Sequence, residues 1–299
     1  MKKLLKIGAA MGVIGASGFW WLTAPPPLPD VYRDVAAGDA DAGEQVFHAA
    51  GCVSCHSAPD TKGRAMLTLA GGKPFPSDFG TFYAPNISSD PQAGIGGWSY
   101  DAFARAVTQG VSPQGQHYYP AFPYAAYQNM QPGDLANLYA YMQTLPASDT
   151  PSSPHDVGFP FSIRRGLGLW KLVFNPPGWT VPGDLSPAET RGRYLVEALS
   201  HCGECHTARN AVGGLQRSQW LAGAPHPSGK GKIPNITPAA LDWSDIDLIA
   251  YFKTGLTPDY DSAGGEMVEV IDNLSKLPDA DLEAIVAYLR RVPPVATAE

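Results

Sequence analysis

A mainly α-helical protein, with two tandem copies of one small domain behind a single N-terminal anchor helix, is what this 299-residue sequence predicts. Three observations lead there. The chain opens with a long apolar run that closes on three prolines. A set of short segments recurs, in the same order, about 150 residues later. Within each copy the apolar residues near the start and end recur at helical spacing, and no stretch alternates apolar and polar residues long enough to define a strand.

The opening run comes first. Lys2, Lys3 and Lys6 precede an apolar stretch from Ile7 to Ala24, and Pro25, Pro26 and Pro27 stop any helix there. At about 1.5 Å per residue such a helix reaches roughly 27 Å, close to the hydrocarbon thickness of a bilayer. Trp20 and Trp21 fall where an interfacial aromatic belt would lie on the far side. This predicts a membrane anchor over residues 1–30, with the lysines inside and the rest exported. The rival is a signal peptide cut near Ala16-Ser17-Gly18, which would leave Phe19, Trp20 and Trp21 at a new terminus.

Composition narrows the character of the exported part. With 44% hydrophobic and 16% charged residues it is a folded protein. The 32 glycines and 29 prolines put much of it in loops. A net charge of -7 leaves no basic stripe to neutralise phosphates, which argues against a nucleic-acid partner.

Cysteine placement sets the chemistry. The four cysteines form two runs, Cys52-Val53-Ser54-Cys55-His56 and Cys202-Gly203-Glu204-Cys205-His206. C-x-x-C-H is the attachment sequence of a c-type haem: two thiols bond the porphyrin edge and the next histidine lies under the iron. Disulfides or a zinc site would not explain a histidine after each pair. A thioredoxin-like pair would need a single motif in a βαβ unit. The sequence therefore predicts two covalent haem c groups, on Cys52 and Cys55 and on Cys202 and Cys205, with His56 and His206 as proximal ligands.

The remaining elements repeat around these motifs. Ala84-Pro85-Asn86-Ile87-Ser88 recurs as Ile233-Pro234-Asn235-Ile236-Thr237, and Gly97-Trp98-Ser99 as Asp242-Trp243-Ser244. Ser186-Pro187-Ala188-Glu189 reads as a capping box with proline at the first helical position, starting a helix toward Cys202. Its counterpart runs from about Asp41 to Cys52. Leu135, Leu138, Tyr139 and Met142 share one helical face near the end of the first copy, as Leu282, Ile285, Val286 and Leu289 do in the second. A motif helix, loops, a short helix and an amphipathic closing helix follow the order of a class I cytochrome c domain. The boundaries read as domain 1 at 31–147, a packed linker at 148–183, and domain 2 at 184–299. Arg164 and Arg165 in that linker are candidates to pair with haem propionates, against the plain alternative of surface arginines.

A second strong axial ligand would close each iron, and a methionine would raise its potential. In the second copy Met267, after Gly264-Gly265-Glu266, is the candidate. In the first copy Met130 leads, with His117, Met66, Met142 or an open iron as alternatives. His48, His155 and His226 read as surface or loop residues.

Both haem motifs, Tyr119-Pro120-Ala121-Phe122-Pro123-Tyr124 with Met130 after it, and the Ala-Pro-Asn-Ile and Ile-Pro-Asn-Ile loops resemble the cytochrome c subunits of bacterial membrane-bound alcohol, gluconate and related sugar dehydrogenases. The resemblance covers roughly residues 35 to 295. It implies electron transfer on the periplasmic face of the inner (cytoplasmic) membrane. The donor would be a quinoprotein or flavoprotein dehydrogenase, and the acceptor a quinone or an oxidase. It carries over haem attachment and axial ligation to Cys52, Cys55, His56, Cys202, Cys205 and His206, and an axial methionine to Met267. The family usually has three haem domains where this chain has two, and some members have methionine where Phe122 stands. The expected function is that of an electron carrier with no substrate site of its own; a two-haem peroxidase is the alternative that an open first iron would keep alive.

Overall fold

The computed structural model describes residues 2–227 and 231–297. Helix α1 (Lys2–Leu22) has none of its residues buried, and its last turn meets the connecting segment through Trp20. The first half then comprises α2 (Ala40–Ala49), α3 (Cys52–His56), strands β1 (Pro74–Ser77) and β2 (Gly80–Tyr83), α4 (Tyr100–Gln109), α5 (Tyr124–Tyr127) and α6 (Pro132–Met142). A connecting segment carries β3 (Asp156–Val157) and α7 (Gly166–Phe174). The second half comprises α8 (Pro187–Arg193), a π-helical turn (Tyr194–Leu199), α9 (Gly203–His206), β4 (Ala224–Pro225), β5 (Lys232–Ile233), α10 (Asp245–Thr254), α11 (Met267–Leu274) and α12 (Asp279–Arg291).

Side chains cap the helix starts. Asp39 caps α2, Ser99 caps α4 and Ser244 caps α10, each accepting a backbone N–H of the first turn. The capping box between Ser186 and Glu189 is formed. Gly110 and Gly255 end α4 and α10 in the left-handed region, at φ 58° and 74°.

In each half the opening helix packs on the closing helix, and glycine sets the distance. A Cβ on Gly43 of α2 would lie 2.0 Å from the Asn137 carbonyl oxygen of α6. One on Gly192 of α8 would lie 1.9 Å from the Ala284 oxygen of α12. Only a residue without a side chain lets the backbones approach so closely. Phe47, Leu135, Leu195, Leu282 and Ile285 fill the cores around these crossings.

The strands are an addition to the sequence expectation. β1 and β2 pair antiparallel, β3 adds to β2, and β4 pairs with β5. All have four residues or fewer, too short for an alternating pattern to register.

The asparagines of the repeated loops work as clamps. Asn86 donates to the Ser148 and Thr150 carbonyls, both at 2.8 Å, while its own side-chain oxygen accepts from Ser88 N–H. Asn235 donates to the Val295 carbonyl at 2.8 Å and accepts from Thr237 N–H.

The cations of the connecting segment contact aromatic rings and backbone carbonyls of the protein. Arg164 stacks over the Tyr119 ring at 4.2 Å and donates to the His117 carbonyl. Arg165 stacks over Trp20 at 4.1 Å and donates to Thr23 Oγ1 and the Trp20 carbonyl. Lys171 donates to the Gln109 and Gly110 carbonyls and lies over the Tyr124 ring. Burial, with Arg105 nearby, pulls its ammonium down to about 7.

Candidate functional site

Each C-x-x-C-H run folds as one helical turn entered through a left-handed residue: Gly51 at φ 63° before α3, and His201 at φ 41° before α9. On such a turn residues three apart are neighbours, so Cys52 and Cys55 share a side, as do Cys202 and Cys205. All four thiols are free. Burial pushes Cys52 and Cys202 up to about 12 and Cys55 up to about 11, and raises Cys205 as well. Cys55 and Cys205 are nevertheless open to solvent. Among the described residues no group of three or more His, Cys, Asp or Glu is placed to hold a bare metal ion.

The two histidines are oriented identically. His56 Nδ1 lies 2.8 Å from the Pro85 carbonyl, and His206 Nδ1 lies 2.8 Å from the Pro234 carbonyl. A carbonyl can only accept, so the proton sits on Nδ1 and the Nε2 lone pair is free to bind a metal. Burial lowers both imidazoles below their ordinary value, keeping them neutral. The supporting loops match as well. Gly71 N–H donates to the His56 carbonyl at 2.8 Å and Gly223 N–H to that of His206 at 2.9 Å. Leu69 and Leu221 take left-handed backbone angles, at φ 52° and 59°, to accept from Ile87 and Ile236 N–H. Side-chain-bearing residues rarely adopt such angles. Two thiols and one oriented imidazole on a single turn form the donor set that a c-type haem requires.

The candidates for the opposite axial position differ in setting. Met267 opens α11, is partly exposed, and comes two residues after Gly265 at φ 57°. Met130 is 1% exposed, inside the core with Leu135 and Tyr32, and the Tyr32 hydroxyl donates to its carbonyl at 2.9 Å. His117 is also enclosed, with Nε2 3.0 Å from the Thr23 carbonyl at the end of α1. Met142 lies on the core face of α6, and Met66 is half-buried against the core. Phe122 lies 5.7 Å from the Tyr127 ring, whose hydroxyl donates to the Ala50 carbonyl just before α3.

The two sites are stitched together by reciprocal contacts. Lys73 Nζ donates to the Ser54 carbonyl at 2.9 Å and to Glu269 at 2.7 Å. Asn273 donates to Ser54 Oγ at 3.0 Å, and its side-chain oxygen lies 3.2 Å from His48 Nδ1. α11, which begins at Met267, is thereby held against the first attachment turn. In the other direction Tyr127 packs its ring 5.6 Å from His201, Ser200 Oγ donates to the Ala49 carbonyl, and the Tyr194 hydroxyl donates to Asp134 at 2.7 Å.

Three residues carry more than sequence reasoning assigned. His48 is buried, where a surface or loop position was expected; burial above all lowers its imidazole, opposed by the Asn273 bond. His155 accepts from Tyr83 N–H and packs against Phe82 and Tyr119. Glu197, 4% exposed, accepts from Thr180 and Val181 N–H and from the Tyr288 hydroxyl. An acid inside the apolar run Tyr194-Leu195-Val196-Glu197-Ala198-Leu199 was the available signal for that site.

The chain is similar to several known proteins. Residues 40–146 match the family model described as Cytochrome c. The chain is 52% identical to a "Diheme cytochrome c-type" protein of Cereibacter sphaeroides over 296 residues, covering 99% of this chain and all of that relative. It is 42% identical to the "Fructose dehydrogenase cytochrome subunit" of Gluconobacter japonicus over 84% of this chain and 52% of the relative. It is 36% identical to the "Gluconate 2-dehydrogenase cytochrome c subunit" of Pantoea cypripedii over 83% of this chain and 58% of the relative. The chain thus spans the whole of the first and little more than half of the other two.

Proposed function

Because this chain belongs to the cytochrome c family, we propose that it is a membrane-anchored di-haem electron carrier, periplasmic, passing electrons from a partner dehydrogenase toward the respiratory chain. The observation that carries the reading is the repeated bond from His Nδ1 to a proline carbonyl, which leaves one free Nε2 beside each cysteine pair. Two tandem class I domains, 31–147 and 184–299, would each hold one haem c, joined by the linker at 148–183 and tethered by residues 1–30. Haem c, when bound, supplies a one-electron iron centre whose potential follows its axial ligands and burial. The protein's own part is to fix His56 and His206 as proximal ligands, to present Met267 from α11, and to hold the two attachment turns together. Met130 is the proposed sixth ligand of the first iron.

A dehydrogenase as donor is supported by relatives whose names are those of dehydrogenase cytochrome subunits; a quinoprotein or flavoprotein in that place, and a quinone or oxidase as acceptor, complete the proposal. The chain works as an electron-transfer protein and not as an enzyme. A second reading, a first iron open on one side, is favoured by one observation: Met130 is enclosed in the core, whereas Met267 is partly exposed.

Optical spectra of the purified protein, oxidised and reduced, with and without carbon monoxide, test both readings. Low-spin spectra unchanged by carbon monoxide mean two capped irons and support the carrier with Met130 in place. Carbon monoxide binding at one haem selects the open first iron. A haem content of one per chain overturns the di-haem assignment.

A further inference from the structure

The connecting helix α7 is held by the protein on every side but one. Toward α1, Gly168 packs so closely on Thr23 that a Cβ would lie 2.7 Å from the Thr23 Cα. Toward the first half, Lys171 donates to the Gln109 and Gly110 carbonyls at 2.6 and 2.8 Å. Toward the second half, Trp170 Nε1 donates to the Val212 carbonyl at 2.8 Å, and Phe174 packs on Gly214. The remaining side carries Leu169, Leu172 and Val173, spaced so that they share one helical face. Leu172 is 63% and Val173 67% exposed. Just upstream, Phe159 is 82% exposed and Phe161 and Ile163 are exposed too. A patch of large apolar side chains this extensive marks a contact surface.

Its position and its charge pattern identify the occupant. The segment is bolted to the exit of α1: Arg165, directly before α7, stacks over Trp20 and donates to the Trp20 carbonyl and Thr23. Trp20, Trp21 and Leu22 are themselves exposed, so the two apolar surfaces run into one another. Two of the neighbouring cations turn away from the 159–173 patch, Arg164 onto Tyr119 and Lys171 onto Tyr124, while Arg165 lies over Trp20 at the α1 end. A protein-binding surface would keep a polar rim; a surface stripped of charge beside tryptophans at the end of an apolar helix matches the acyl-chain boundary of a bilayer.

We infer that the 159–173 segment, with α7 at its end, lies in the membrane surface as a second attachment beside α1. This rests on the reading of α1 as an anchor. The attachment would fix the tilt of the haem-bearing body over the bilayer by adding a second point of contact to that of α1.

The test is photocrosslinking of the full-length, haem-loaded chain in vesicles of phosphatidylethanolamine and phosphatidylglycerol. Benzoylphenylalanine is placed, one position at a time, at Leu172, at Ile14 in α1, and at the exposed Ile246 of α10, and lipid adducts are measured by mass spectrometry. The expected result is adducts at 14 and 172 in comparable yield, at least about tenfold above 246. Adducts at 14 without adducts at 172 overturn this inference and leave the anchor standing. Absence at both positions removes the anchor and the inference together. Equal yields at 172 and 246 also overturn it, as does a protein adduct in place of lipid at 172 in native membranes.

Discussion

Lys73 and Glu269 form a 2.7 Å ion pair that joins the loop behind the first attachment turn to the helix beginning at Met267. Lys73 also donates to the Ser54 carbonyl, so one ammonium bridges the first Cys-x-x-Cys-His turn and helix α11.

A double-mutant cycle measures that bridge. Lys73→Met and Glu269→Gln are expected to show a coupling of about 1 kcal/mol in denaturant unfolding, since the pair is only partly shielded from water. A coupling near zero would mean that the bridge contributes nothing to holding the halves together.

Acid should loosen the same junction through His48. Its imidazole, bonded to Asn273 and kept below its ordinary value chiefly by burial, binds protons less readily folded than unfolded. Stability present above the unfolded pKa of about 6.5 is then lost as pH falls below it, by at most about 1.4 kcal/mol per pH unit from this group. Denaturation midpoints between pH 7 and 5 check this. The fall should be shallower in His48→Gln, and an equally steep fall there would rule His48 out as the cause.

The glycine crossings allow no side chain. Gly192→Ala would bring a methyl within 1.9 Å of the Ala284 oxygen, and Gly43→Ala would bring one within 2.0 Å of the Asn137 oxygen. Each substitution is expected to cost about 1–3 kcal/mol by forcing a helix pair apart. Thermal unfolding reads the loss. A change below about 0.5 kcal/mol would mean that the helices separate more easily than their packing indicates.

Glu197 secures the end of the connecting segment to the second half. In Glu197→Ala the amides of Thr180 and Val181 and the Tyr288 hydroxyl lose their shared acceptor, at a cost of about 2–3 kcal/mol. Limited proteolysis should then cut near Thr180 faster than in the parent protein.

Met267→Ala is expected to let the second iron bind carbon monoxide, with the histidine and both thioethers untouched. An unaltered carbon monoxide spectrum would remove Met267 from the ligand set.

The attachment motifs and helix caps were legible because each is a local code: a turn spaces Cys52 from Cys55, and Ser186 meets Glu189 three residues away. Residues whose roles depend on distant partners were not. His48 reads as an ordinary helix residue until α11, more than 200 positions later, brings Asn273 against it. The stacking of Arg165 over Trp20 was not legible either, because nothing in the sequence shows that α1 ends beside the connecting segment. The left-handed Leu69 and Leu221 also gave no warning, since leucine carries no preference for that backbone region. Met267 was singled out as the sole methionine of the second copy, beside a glycine pair, and it stands partly exposed at the head of a helix. Met130 was chosen by its place before α6, a criterion blind to which way a side chain turns.

The asparagine clamps bear on how this protein can be dissected. Both side-chain protons of Asn86 are spent on carbonyls that lie beyond α6, and Ser152 and Asp156 continue that attachment through Asn86 N–H and β2. A fragment ending at the closing helix would strip Asn86 of its acceptors and bare the outer edge of β2. Expression of the first half in isolation should therefore run to at least Val157, while the second half needs its tail as far as Thr297 to keep Asn235 satisfied.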